Sequence, residues 1–159
     1  MPDVADMTLD LLRVAAAEVA AAYALDLVVL FGSAARDGFA RARDVDLAVT
    51  GDPERGKPPG GWSWGREATL YAAFTQRLGV EVDVVEADRA SALLQAHVAR
   101  DGVPVYERVP GAFEVFQREA ERRFEAALPE YEAEWEETKR QIRAFLPPEP
   151  DYRPWGEPG

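Results

Sequence analysis

The chain has 159 residues, no cysteine and a formal net charge of −11. That length suits one domain with a real core, the missing cysteines exclude disulfides and thiolate metal sites, and the charge disfavours nonspecific binding to nucleic acid, which relies on basic neutralisation of phosphate. No apolar run approaches the ~20 residues of a membrane span, and the opening MPDVADMTLDLL carries acids where an export signal needs bases, so a cytoplasmic protein away from membranes is expected.

Leu9, Leu12, Val19 and Tyr23, with alanines between, predict a helix over residues 8–24, capped by Thr8 or Asp6. Leu27–Phe31 reads as a short buried strand that stops at Gly32-Ser33. Val45–Val49 is a second strand, ended by Thr50-Gly51-Asp52-Pro53, and residues 51–63 form a Pro/Gly-rich loop. A helix over Glu67–Leu78 stops at Gly79. A third strand spans Val80–Val85, with Val82 and Val84 on one face and Asp83 on the other. Arg89–Arg100 reads as a helix closed by Asp101-Gly102, and Val103–Tyr106 as a short extended piece. The fold class is α/β (α+β): a small mixed sheet flanked by helices, over residues 1–110.

Beyond Pro110-Gly111 the character changes, and residues 111–146 read as a helical extension. Phe113, Phe116, Ala120, Phe124, Leu128, Tyr131, Trp135, Ile142 and Phe145 mark a narrow apolar stripe among Glu and Arg. Pro129 predicts a kink, or two helices with the proline in the first turn of the second. Glu130, Glu132 and Glu134 lie early in that second stretch and Lys139, Arg140 and Arg143 late, which suits the helix dipole. Such a stripe must be covered by the domain, by a second copy in a homo-oligomer, or by another protein. The segment PPEPDYRPWGEPG, residues 147–159, is expected to be a disordered tail, with Tyr152 and Trp155 able to dock.

The chemistry concentrates in FGSAARDGFARARDVDLAV, residues 31–49. Side chains alternate along a strand, so Asp44 and Asp46 project to one side, about 7 Å apart. At an effective dielectric of about 20 their repulsion is roughly 2–3 kcal/mol. A divalent cation between them relieves it, and hard cations such as Mg²⁺ take carboxylate and phosphate oxygens. Asp83 joins them if its strand is a neighbour. Gly32 lets a backbone approach closely, and a short helix opening at Ser33 aims N–H groups and a hydroxyl at an anion. A phosphate cradle beside carboxylates suggests phosphoryl or nucleotidyl transfer. Singly, each feature has an ordinary explanation: a turn, a wet strand edge, a solvated aspartate. Their joint placement at the ends of successive apolar strands favours the chemical one. His97, the only histidine, lies on a helix away from this motif and reads as a surface or packing residue.

Gly32-Ser33, ten intervening residues, Asp44-Val45-Asp46 and then Asp83 on a later strand resemble the minimal nucleotidyltransferases of the DNA polymerase β-like superfamily. The likeness spans residues 9–107. It implies that Gly32 and Ser33 bind the triphosphate of ATP or another nucleoside triphosphate and that Arg36 lies near the phosphates or braces the loop. It also implies that Asp44, Asp46 and Asp83 hold two Mg²⁺, with Asp83 helping to activate an acceptor hydroxyl. Lys57, Trp62 or Trp64 would then close over the nucleotide, unless the tryptophans simply anchor the end of their loop. Minimal members are often antitoxins paired with a HEPN-type RNase toxin, and some place AMP on a tyrosine of that toxin. A small-molecule acceptor, as in aminoglycoside nucleotidyltransferases, and a non-catalytic antitoxin acting by contact are the alternatives. The chain departs from the pattern at Asp37, where the family often has glycine, and at Arg43, where it often has serine.

Overall fold

The computed structural model describes residues 2–145. The tail 147–159, with Tyr152 and Trp155, lies outside them. The described residues divide into two compact units, one ending at Phe124 and the other beginning at Glu125.

In the first unit, helix α1 (Leu9–Tyr23) leads into strand β1 (Leu27–Phe31), and the short helix α2 (Gly32–Asp37) follows without a break. Thr8 is the α1 cap, its hydroxyl accepting from the Leu11 N–H at 3.2 Å. Asp6 instead closes a capping box with Asp3 around a preceding 3-10 turn. Strand β2 (Val45–Thr50), helix α3 (Arg66–Leu78) and strand β3 (Val82–Glu86) come next. Helix α4 (Ala92–Asp101) and strand β4 (Val103–Glu107) then lead into helix α5, Ala112–Phe145. Helix α4 starts later than its apolar pattern suggests, because the Ser91 hydroxyl takes the Leu94 N–H and residues 87–89 form a separate 3-10 turn. Strand β3 likewise starts at Val82, two residues late, after the left-handed turn at Gly79.

The four strands lie in the order β3-β2-β1-β4. β1 is antiparallel to both neighbours, whereas β2 and β3 are parallel and joined by the α3 crossover, which makes the sheet mixed. Strand alternation gives each face its own core. Val28, Leu30, Val45, Leu47, Val49, Val82 and Val84 turn to one face and pack with Leu12, Val19, Leu70 and Phe74 of α1 and α3. Leu27, Val29 and Ala48 turn to the other and pack with Val98 of α4 and Phe113 of α5. Full burial of side chains such as Leu30, Leu47 and Phe74 contributes about 1.5–3 kcal/mol each.

Helix α5 runs as one element through Pro129. The proline removes the N–H that would reach the carbonyl four residues back and crowds that carbonyl with its ring; of the kink or division expected there, the division into two helices does not occur. No helix among the described residues is long and apolar enough to cross a membrane.

Candidate active site

Strand polarity gathers the motif at one end of the sheet. β1 runs out at Phe31, whose register partner on antiparallel β2 is Asp46. Asp46 in turn sits opposite Asp83 on parallel β3. Strands hydrogen-bonded in a sheet lie about 4.8 Å apart, so Asp46 and Asp83 are side by side. Both point to the face carrying Ala48 and Val85, because Val45, Leu47, Val82 and Val84 occupy the opposite one. Asp44 immediately precedes β2 and shares that face by alternation. Asp44 and Asp83 are exposed and Asp46 is half-buried between them.

The electrostatics follow from this placement. The Asp46 carboxyl is held above the usual carboxylate range, first by burial and then by the negative charges of Asp83 and Asp44. Three carboxylates therefore share one field. Among the described residues no group of three His, Cys, Asp or Glu side chains converges closely enough to hold a metal ion as it stands. Mutual repulsion is the physical reason for carboxylates to stay spread in the absence of positive charge. The donor set, all oxygen and excess negative charge, has the chemistry of a hard divalent cation site.

Gly32 meets this cluster directly. Its φ is +72°, a region costly for any residue with a Cβ, and a Cβ built there would overlap the Asp46 carboxylate oxygen Oδ2. Glycine at this position is thus favoured by the turn, and any side chain there would also have to turn the Asp46 carboxylate aside. The next residues form α2, whose first turn has no side-chain cap. Ser33 is half-buried in that turn.

Arg36, on α2, has its guanidinium 3.9 Å from Asp101 at the end of α4. Asp101 also accepts from Arg100 at 3.2 Å. The sequence reading passed over Asp101 as the close of a helix. An acid beside the Gly102 turn that opens β4 was the available signal, since β4 starts at the same sheet end at which β1 stops. His97 is exposed and 3.1 Å from Arg100, on the α4 end that carries Asp101.

The loop after β2 does not close over this site. It leaves from Thr50, four residues and roughly 13 Å along the strand from Asp46. Trp62 packs on Tyr23, centroids 5.8 Å apart, and under the Arg66 guanidinium at 5.9 Å. Lys57 pairs with Glu54 at 3.8 Å, and Trp64 is 89% exposed. Trp62 anchors the loop to the far end of α1, so of the two readings of this loop, a cover over the nucleotide by Lys57, Trp62 or Trp64 or tryptophans anchoring its end, the structure supports the anchor. That far end has its own buried polar group: Arg66 Nη1 donates to Glu86 at 2.9 Å, with side chains 5% and 10% exposed.

A family model described as "Polymerase beta, Nucleotidyltransferase" matches residues 16–110, more than half of the chain. No curated protein matches. Among solved structures, a chain of a toxin–antitoxin complex with AMP-PNP has a TM-score of 0.64 at 18% identity, over 84% of this chain and 99% of its own. A chain from the complex of tri-AMPylated Shewanella oneidensis HEPN toxin with MNT antitoxin gives 0.62 at 18%, over 83% and 99%. One from the MntA–HepT toxin–antitoxin gives 0.61 at 18%, over 82% and 98%. At these identities the likeness is one of fold.

Proposed function

Starting from a chain that belongs to the polymerase β-type nucleotidyltransferase family, we propose that it moves AMP from ATP to a hydroxyl, and that the acceptor is a tyrosine of a HEPN-type toxin for which it serves as antitoxin. The observation that carries the reading is the register pair Asp46–Asp83 with Asp44 beside it and Gly32 closed against Asp46. The fold neighbours named for AMP-PNP, a tri-AMPylated HEPN toxin and its MNT antitoxin support the donor and the acceptor.

In this reading the Gly32-Ser33 turn receives the triphosphate and Arg36, steadied by Asp101, faces its negative charge. Asp44, Asp46 and Asp83 would hold two Mg²⁺, which supply Lewis-acid polarisation of the α-phosphate and neutralise the carboxylates. The acceptor oxygen attacks the α-phosphorus and forms the new P–O bond. The bond to the bridging oxygen breaks, pyrophosphate leaves, and the hydroxyl proton passes to Asp83.

The test incubates the protein with α-labelled ATP, Mg²⁺ and a candidate HEPN-type acceptor, beside an Asp44→Ala/Asp46→Ala variant. Label should pass to the acceptor with the native chain and fall by about a thousandfold or more with the variant, the scale of losing a main electrostatic group. No transfer to any acceptor, with toxin inhibition intact in the variant, would replace this reading with an antitoxin that works by contact alone.

A further inference from the structure

Arg36 stands between two sets of carboxylates. It lies four residues, roughly 6 Å along the α2 axis, past Gly32, and Gly32 is set against the Asp46 carboxylate. A long arginine side chain spans such a distance, and three carboxylates on one face attract a guanidinium as they attract a metal ion. Arg36 nonetheless pairs elsewhere. Among the described residues its one ion pair is with Asp101, at 3.9 Å, and it makes none with Asp44, Asp46 or Asp83.

Asp101 is held in place from two sides. Gly102 brings the end of α4 down on β1, where a Cβ would overlap the Val98 carbonyl oxygen and Val29 Cγ1. Arg100 donates to both Asp101 oxygens, Nε to Oδ1 at 3.2 Å and Nη2 to Oδ2 at 3.2 Å. The same Nη2 lies 3.1 Å from His97 Nδ1. The Asp101 side chain is 18% exposed, against 53% for Arg36. The carboxylate is therefore the fixed member of the pair and the guanidinium the movable one.

We propose that Asp101 is a positioning residue that keeps the Arg36 guanidinium off Asp44, Asp46 and Asp83, and so leaves those carboxylates open to a divalent cation. This rests on the reading of the three aspartates as a cation site. Without Asp101 the guanidinium folds back on them and supplies the positive charge that they lack. An incoming cation must then displace it, and binding weakens. A pair this exposed shifts such a balance by about fivefold at most.

Mn²⁺ binding to the full chain without nucleotide, followed by electron paramagnetic resonance, tests this through a double-mutant cycle. The native chain should bind Mn²⁺ and Asp46→Asn should lose it, which checks the cation site by itself. Asp101→Asn should weaken binding by about threefold to fivefold. Arg36→Gln should change the native affinity by less than about twofold, because the guanidinium is already held away. Added to Asp101→Asn, it should restore binding to within about twofold of native, which a misfolded variant could not do. If Asp101 acts only through the field of its charge, Arg36→Gln changes affinity by the same factor in both backgrounds, and that additive cycle overturns the proposal. So does an Asp101→Asn variant that binds Mn²⁺ as the native chain does. A native chain that binds no Mn²⁺ removes the cation site and this inference together.

Discussion

Asp46 is expected to cost the fold stability, and Asp46→Asn to return it. The carboxylate stands beside Asp83, one strand away, with Asp44 on the same face. Two charges about 5 Å apart repel by roughly 3 kcal/mol at an effective dielectric of 20. Asp83 is exposed and Asp46 only half-buried, so solvent screening reduces this to about 1 kcal/mol. Asparagine keeps the shape and removes the charge, and at ~3 °C per kcal/mol Tm should rise by about 3 °C at pH 7 without divalent cations. The pH dependence has a definite sign. The folded pKa of Asp46 lies above its unfolded value of 3.8. Between those two values the folded state holds the extra proton, and above the raised value it carries the full cost of the charge. The advantage of asparagine is therefore complete at neutral pH, shrinks as pH falls through the raised pKa, and is gone below about 3.8. Paired thermal melts in chelator from about pH 3.5 to 7.5 measure it. Adding Mg²⁺ should narrow the gap by stabilising the native chain, while nucleotidyl transfer by the variant stays lost. A variant that melts at or below the native temperature at pH 7, or whose gain persists at pH 3.5, would refute the argument.

Gly32→Ala should destabilise by about 2 kcal/mol, since it combines a left-handed φ with a Cβ set on the Asp46 carboxylate. Denaturant melts give the loss, and transfer activity should disappear in protein that remains folded. Arg66→Met should cost about 2 kcal/mol, because it leaves the largely buried Glu86 with only the exposed Arg89 at 3.9 Å. Adding Glu86→Leu should recover most of the loss. Transfer should survive in both folded variants, since the pair sits at the end of the sheet away from Asp46, and a specific activity that falls with Arg66 would contradict that separation.

The apolar runs made the element order legible, because each buried strand is short, β-branched and bounded by glycine or a turn. The Asp44–Asp46 face was legible from strand alternation alone. Whether Asp83 neighboured them depended on β3 pairing with β2, which no local pattern states. The Arg66–Glu86 pair was not legible either. It joins the start of α3 to the end of β3, twenty residues apart, through the way the crossover helix lies on the sheet. The start of α4 moved where the Ser91 hydroxyl outweighed the apolar period, and β3 starts two residues late, whereas α3 ends at Gly79 as its sequence signals.

The loop at residues 51–63 admits two readings, a cover and an anchored end, and strand direction decides between them. A β2 that begins beside Asp44 and Asp46 must deliver its C-terminal loop to the opposite sheet end. Gly32 and Asp83 meet Asp46 because β1 stops, and β3 starts, where β2 starts. By the same rule β4, antiparallel to β1, begins at the site, and this is how Asp101 comes to Arg36. Residues able to reach the carboxylate end of the sheet are thus those before β2, before β3 and before β4, and those just after β1. Tryptophan content alone leaves the 51–63 loop as either a lid or an anchored end. Polarity makes it the far-end brace that Trp62, Tyr23 and Arg66 form.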